Sequence, residues 1–287
     1  MFTHQRISTN GVTLSVVQAG PPDGELVILL HGFPGFWYCW RSQIRHLAEQ
    51  GYRVWAPDQR GYVLSDKPHE LTAYGLDTLA DDIIGLLDAA PSDRCILMGH
   101  DWGGAVAWWV ALKYPDRLNK LIIVNSPHPR AFAAAIKQKA QRRKSAYMSL
   151  FRVHPLAEWV LGAGNFTALA WALRHTSKPG TFSASDIRAY KAAWAHPGAL
   201  RGMLNWYRAM FAVRNQRVKR WPVQTPTLII WGRADPVFLP ELAAMSLEYC
   251  PAGELLTLDD ARHWPMLAYP ERVNQALDDF LRRAELP

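Results

Sequence analysis

Cys95-Ile96-Leu97-Met98-Gly99-His100-Asp101-Trp102-Gly103 is an apolar run that ends in a glycine-flanked acid. A G-x-nucleophile-x-G run between a strand and a helix predicts a sharp turn that lifts the central side chain out of the sheet. The next backbone N–H is then left available. Serine is common at the centre of such turns, but here the residue is Asp101. The carboxylate changes the chemistry. Attack on an ester carbonyl would give an anhydride, which readily reverts, whereas attack on an sp³ carbon gives an alkyl ester that water can hydrolyse. The turn therefore points to opening of an epoxide or displacement of a halide rather than cleavage of an ester or peptide.

Outward from this turn, strand and helix patterns alternate. Apolar runs predict further strands at 12–18, 26–30, 54–56, 121–124, 227–231 and 254–258, because continuous apolar runs suit strands buried on both faces. Amphipathic spacing predicts helices at 40–49, 76–89, 103–113, 239–249 and 271–283. Between 128 and 221 the strand rhythm stops and helical segments take over. The pattern predicts an α/β protein with a mostly parallel sheet flanked by helices. Its core would span 1–127 and 222–287, and 128–221 would be an inserted helical cap. A length of 287 residues suits one large unit with an insertion. The N-terminus lacks the apolar stretch of a signal peptide. No apolar run approaches the roughly 20 residues that cross a bilayer, so stable membrane insertion is not expected. Cys39, Cys95 and Cys250 are scattered and odd in number, as in a cytoplasmic protein with reduced thiols. None has metal-ligand spacing, and no metal or cofactor is expected.

Charge separates the same two regions. Residues 128–221 carry 17 lysines and arginines against 2 acids, while the rest carries 15 basic and 23 acidic residues. A solvated helical face offset by an acidic core is the plainer reading. Steering of an anionic substrate, or contact with an acidic partner or lipid surface, is the functional one. Nucleic-acid binding is not expected, since no recognised binding motif accompanies the charge.

Other catalytic parts follow from what an alkyl ester requires. Water must be activated by a base, and His263 lies just after the last predicted strand. Asp235 follows the preceding strand in the same way and would hold the imidazole in its working tautomer. Loops at the C-terminal ends of parallel strands gather around one site, and the order nucleophile, acid, histidine suits a triad. Charge developing on the ester carbonyl oxygen needs backbone donors. Trp102 N–H supplies one, and Phe33 N–H in His31-Gly32-Phe33-Pro34 the other. Pro34 would fix that turn, with a cis bond before it. His100 is expected to pack beneath the turn.

These motifs resemble those of epoxide hydrolases of the α/β-hydrolase fold nearly end to end. His31-Gly32-Phe33-Pro34, Asp58-Gln59-Arg60-Gly61-Tyr62, Gly99-His100-Asp101-Trp102-Gly103-Gly104 and Ser126-Pro127-His128-Pro129 carry the likeness. The resemblance implies an eight-stranded sheet, an aspartate nucleophile and two cap tyrosines that grip the epoxide oxygen. Tyr147 and Tyr207 match those tyrosines. A phenol with a pKa near 10 stays protonated at neutral pH and can donate to the alkoxide as the C–O bond breaks. Two positions depart from the pattern: Val63 stands where glycine is usual, and Arg262 replaces the glycine before His263. A haloalkane dehalogenase would use the same triad, and a non-catalytic ligand-binding relative would be expected to lose part of it. Trp37, Pro34, Phe151, Trp206 and Trp264 are expected to line an apolar pocket for a small epoxide, with water as second substrate. A homodimer is left open.

Overall fold

The computed structural model describes residues 2–283. One sheet contains β1 (Thr3–Thr9), β2 (Val12–Ala19), β3 (Leu26–Leu30), β4 (Arg53–Asp58), β5 (Cys95–His100), β6 (Leu118–Val124), β7 (Thr227–Gly232) and β8 (Gly253–Leu258). Their order is β1-β2-β4-β3-β5-β6-β7-β8. β2 runs antiparallel to β1 and β4, and the other pairs are parallel. β3, β5 and β7 are buried along their whole length, which is why each is a continuous apolar run in sequence. After β3 the chain winds outward to β4, then returns to place β5 on the other side of β3. The loops after β3 and β5 therefore emerge side by side at the point where the winding reverses, the usual place for a ligand crevice.

The strand β1 has no signature in the apolar pattern. Five of its seven side chains are exposed, so it lacks the alternation that marks a half-buried strand. It forms because every residue from Thr3 to Thr9 pairs with one of β2. Elsewhere the observed elements lie where the apolar and amphipathic patterns place them, with shifts of a few residues at their ends. The helix Leu76–Ala89 matches its expected span. The helix expected at 239–249 is the shorter Glu241–Leu247.

Between β6 and β7 the described chain forms helices and no strand: Pro129–Ala135, Lys139–Lys144, Tyr147–Phe151, Leu156–Thr176, Ala184–Trp194 and Ala199–Ala212. The fourth is interrupted at 163–166, where the backbone leaves helical geometry. Ser183 caps the fifth through a reciprocal bond pair with Asp186. The sixth is seated directly on the sheet's loops. A Cβ on Gly202 would stand 2.3 Å from Gly61 O, so only glycine allows this approach. One turn later, Trp206 Nε1 donates to Arg60 O at 2.9 Å. Arg60 is itself fixed by a buried ion pair with Asp82 on the helix Leu76–Ala89.

Val63, the valine in a glycine-type position, has φ +40°. A β-branched residue rarely adopts that region, so the departure read from the sequence is a strained turn. Cys39, Cys95 and Cys250 are buried, unpaired thiols.

Candidate active site

Asp101 stands between β5 and the helix Trp102–Lys113 with φ +51° and ψ −120°. A non-glycine residue in such geometry costs on the order of 1–3 kcal/mol and persists only when its surroundings hold it. Here they do. Ser126 Oγ donates to Asp101 O at 2.7 Å, and Ala105 N donates to the same oxygen at 3.0 Å. Gly32 leaves room for the carboxylate, since a Cβ there would lie 2.3 Å from that of Asp101.

The two carboxylate oxygens of Asp101 have different neighbours. Phe33 N donates to Oδ1 at 2.8 Å, and Oδ2 faces His263 Nε2 at 3.5 Å. The Phe33–Pro34 bond is cis. Trp102 begins the helix after the turn, so its N–H has no intrahelical carbonyl to bond. The His31 ring sets the Phe33 loop: Nε2 accepts from Gln59 N at 3.1 Å, and Nδ1 faces Gly32 O at 3.1 Å as donor. Burial lowers its pKa to about 4, in keeping with this neutral tautomer.

His263 Nδ1 lies 2.8 Å from Asp235 Oδ2. Val237 N and Phe238 N donate to Asp235 Oδ1, at 2.6 and 3.3 Å. Asn125 Nδ2 donates to Oδ2 at 2.6 Å, while Gly232 N donates to Asn125 Oδ1 at 2.9 Å. Sequence reading missed Asn125, although it follows β6 at the same edge of the sheet as Asp101. Burial disfavours a charged His263, but Asp235 and Asp101 outweigh it and raise its pKa to about 10. Burial acts on Asp101 in the opposite sense, and His263 with the Phe33 N–H brings its net pKa below the ordinary value. Two acidic side chains thus face the imidazole, one at each nitrogen, and favour its protonated form. His100 is fully buried; its Nε2 meets His263 O at 2.8 Å, and its ring packs on His263 and Trp264. It supports the His263 ring from beneath. Arg262, the departure from the pattern just before His263, donates to His175 O at 2.8 Å.

Above Asp101, the Tyr147 and Tyr207 rings meet edge-on with their centres 6.0 Å apart, and the Trp102 ring meets Tyr207 edge-on at 5.1 Å. The Tyr207 ring meets those of Phe33, Phe151 and Trp102 edge-on at 4.9 to 5.2 Å. Burial pushes both phenols well above the ordinary tyrosine value, and the Asp101 charge pushes the same way. They are therefore donors at any physiological pH.

A cavity of about 210 Å³ reaches from Asp101 and Trp102 to Tyr147 and is otherwise mainly apolar, with Phe132, Met148 and Phe238 in its wall. Of the five pocket residues expected from sequence, Trp206 alone lines it. Phe151 stands behind the tyrosines, packed on both rings. The Pro34 carbonyl accepts from Trp194 Nε1 at 2.7 Å, which ties the turn to the helical block. Trp264 packs edge-on against His263, its Nε1 donating to Thr176 Oγ1. Trp37 belongs elsewhere, against Phe2 and His4 at the N-terminal edge. Trp159 and Trp171, on the helix Leu156–Thr176, are 73% and 58% exposed. Tyr74 also lines the cavity.

Residues 25–268 match the alpha/beta hydrolase fold family. The chain is 43% identical over 280 residues to the AB hydrolase superfamily protein YfhM of Bacillus subtilis, covering 97% of each chain. It is 37% identical to human epoxide hydrolase 4, covering 96% of this chain and 78% of that one. A crystal structure of the Bacillus megaterium epoxide hydrolase with an inhibitor superposes with a TM-score of 0.88 at 33% identity, covering 97% of this chain and all of the other. The chain belongs to the α/β-hydrolase fold family, among its epoxide hydrolases.

Proposed function

We propose that the chain converts small apolar epoxides to vicinal diols through a covalent ester on Asp101, with residues 128–221 as a cap over the site. Asp101 Oδ2 attacks a ring carbon while Tyr147 and Tyr207 donate to the epoxide oxygen, one of them giving up its proton as the C–O bond breaks. Alkylation makes Asp101 neutral and removes one of the two charges that hold the proton on His263. That proton restores the tyrosinate left by ring opening, and the neutral imidazole, oriented by Asp235, takes a proton from water as it attacks the ester carbonyl and returns it to the departing diol oxygen. Charge on Oδ1 is met by the N–H groups of Phe33 and Trp102. Reduced thiols and an uncharged substrate suit a cytoplasmic setting, and no described helix is long and apolar enough to cross a membrane.

The observation that carries this reading is the pair of buried tyrosines, ring centres 6.0 Å apart, standing over a cavity that Asp101, Trp102 and Tyr147 line together. A halide needs no such pair of phenols, and Phe33 offers no second side-chain donor beside Trp102, so haloalkane dehalogenation is disfavoured. The test is diol formation and halide release by wild type and by the double variant Tyr147→Phe, Tyr207→Phe. Loss of general-acid help should slow epoxide opening by roughly a hundred- to ten-thousandfold. A halide leaves as a stable anion and should lose much less. Efficient halide release that ignores both substitutions, with negligible diol, would assign the site to dehalogenation.

A further inference from the structure

The helical block carries an exposed apolar face that the catalytic site does not use. Val153, Leu156, Trp159 and Phe211 are 49%, 46%, 73% and 52% exposed. They form one surface. Leu156 and Trp159 are one turn apart at the start of the helix Leu156–Thr176. Glu158, between them in sequence, bonds Arg208, which lies one turn before Phe211. The Arg152 guanidinium rests 4.5 Å from the Phe211 ring centre, so a cation is part of the face itself.

We infer that this face docks on a bilayer surface containing anionic lipid. Exposed tryptophan, leucine and phenylalanine beside basic side chains are what an interfacial helix presents to headgroups and acyl chains. The field around the face has the required sign. Residues 128–221 hold 17 basic side chains and 2 acids, and both acids are neutralised locally, Glu158 by Arg208 and Asp186 by Arg41. The same field opposes a second copy of this chain as occupant, because two strongly positive blocks would be pressed together. The face also borders the cavity. Met210, next to Phe211, is both 37% exposed and part of the cavity wall. Docking would bring the mouth to the phase in which apolar molecules concentrate.

The inference goes beyond the proposed reaction and is tested without turnover. The intact chain is sedimented with vesicles of phosphatidylcholine alone and with vesicles containing about one-third phosphatidylglycerol, at low and moderate salt. Binding to the anionic vesicles should be about tenfold tighter or more and should weaken as salt rises. Trp159→Ser with Phe211→Ser should reduce it by about another tenfold, with hydrolysis of a water-soluble epoxide in vesicle-free solution unchanged. The wild-type comparison stands whether or not the variant folds. Equal or absent sedimentation with the two wild-type mixtures would overturn the inference. So would a folded double variant that binds as well as wild type. A dimer in light scattering that the double substitution dissociates, without vesicle binding, would assign the face to self-association instead.

Discussion

Asp101 and Asp235 are held by backbone N–H groups of loops at one edge of the sheet and His263 by those two acids, whereas Tyr147 and Tyr207 are held by rings and by each other. Asp235 alone accepts from two backbone N–H groups, a side-chain amide and the imidazole. The tyrosines depend on how the helix Ala199–Ala212 sits on Gly61 and Arg60 and on the aromatic cluster of Phe33, Phe151 and Trp102. The first arrangement follows from strand register, since Leu30 and Gly99 are paired neighbours and the loops after them must meet. The second follows from side-chain shape across a long insertion. The two also differ in charge: the sheet-bearing part is net acidic and residues 128–221 strongly basic.

If the sheet edge supplies both covalent steps, removing either of its reactive groups should be more damaging than any change above it. Asp101→Ala should abolish alkylation and lower turnover by about ten-thousandfold or more. His263→Gln should leave alkylation largely intact and stop at the ester, seen as substrate mass added to the intact protein. Normal turnover by that variant with no added mass would mean that the base lies elsewhere.

A smaller effect sharpens the electrostatic half of the comparison. In the resting site His263 is raised to about 10 because two carboxylates face it. An opposite charge favours the protonated form, so replacing Asp101 by Asn should lower the imidazole midpoint by roughly one to three units. It is read by nuclear magnetic resonance of the ring. Alkylation by wild type needs only ionised Asp101, whose pKa is lowered. The alkylation rate should therefore hold steady as pH falls through neutrality and drop only when Asp101 takes up a proton. A midpoint unmoved by the substitution would separate His263 from Asp101 and break the coupled mechanism.

The meeting of Asp101, Asp235, His263 and the Phe33 N–H was legible because small spacers and strand ends constrain local sequence. Gly32 and Gly103 mark close approaches, and the residues after β5, β7 and β8 fall at one edge whatever the details of packing. Asn125 was missed because an amide after β6 has no pattern of its own until its partners Asp235 and Gly232 are placed beside it. β1 was missed because its side chains are mostly in water. The pocket was the least legible part. Tryptophan serves a core, a cavity wall or an exposed face equally well, and Trp40, Trp206 and Trp159 do one each.

Trp37 gives the smallest effect and tests the same point. Trp37→Ala should lower stability by about 1–3 kcal/mol through lost packing at the N-terminal edge. It should leave kcat/KM within about twofold. A large rise in KM alone would return Trp37 to the substrate pocket.

The central claim is that carbon is first transferred to Asp101, and one turnover in heavy-oxygen water tests it most directly. With enzyme in excess over a single epoxide, the diol should take its new oxygen from the Asp101 carboxylate. The label should then appear by mass spectrometry in the peptide containing Asp101. Label found in the diol after that first turnover, with Asp101 unlabelled, would mean direct attack by water and would contradict the account.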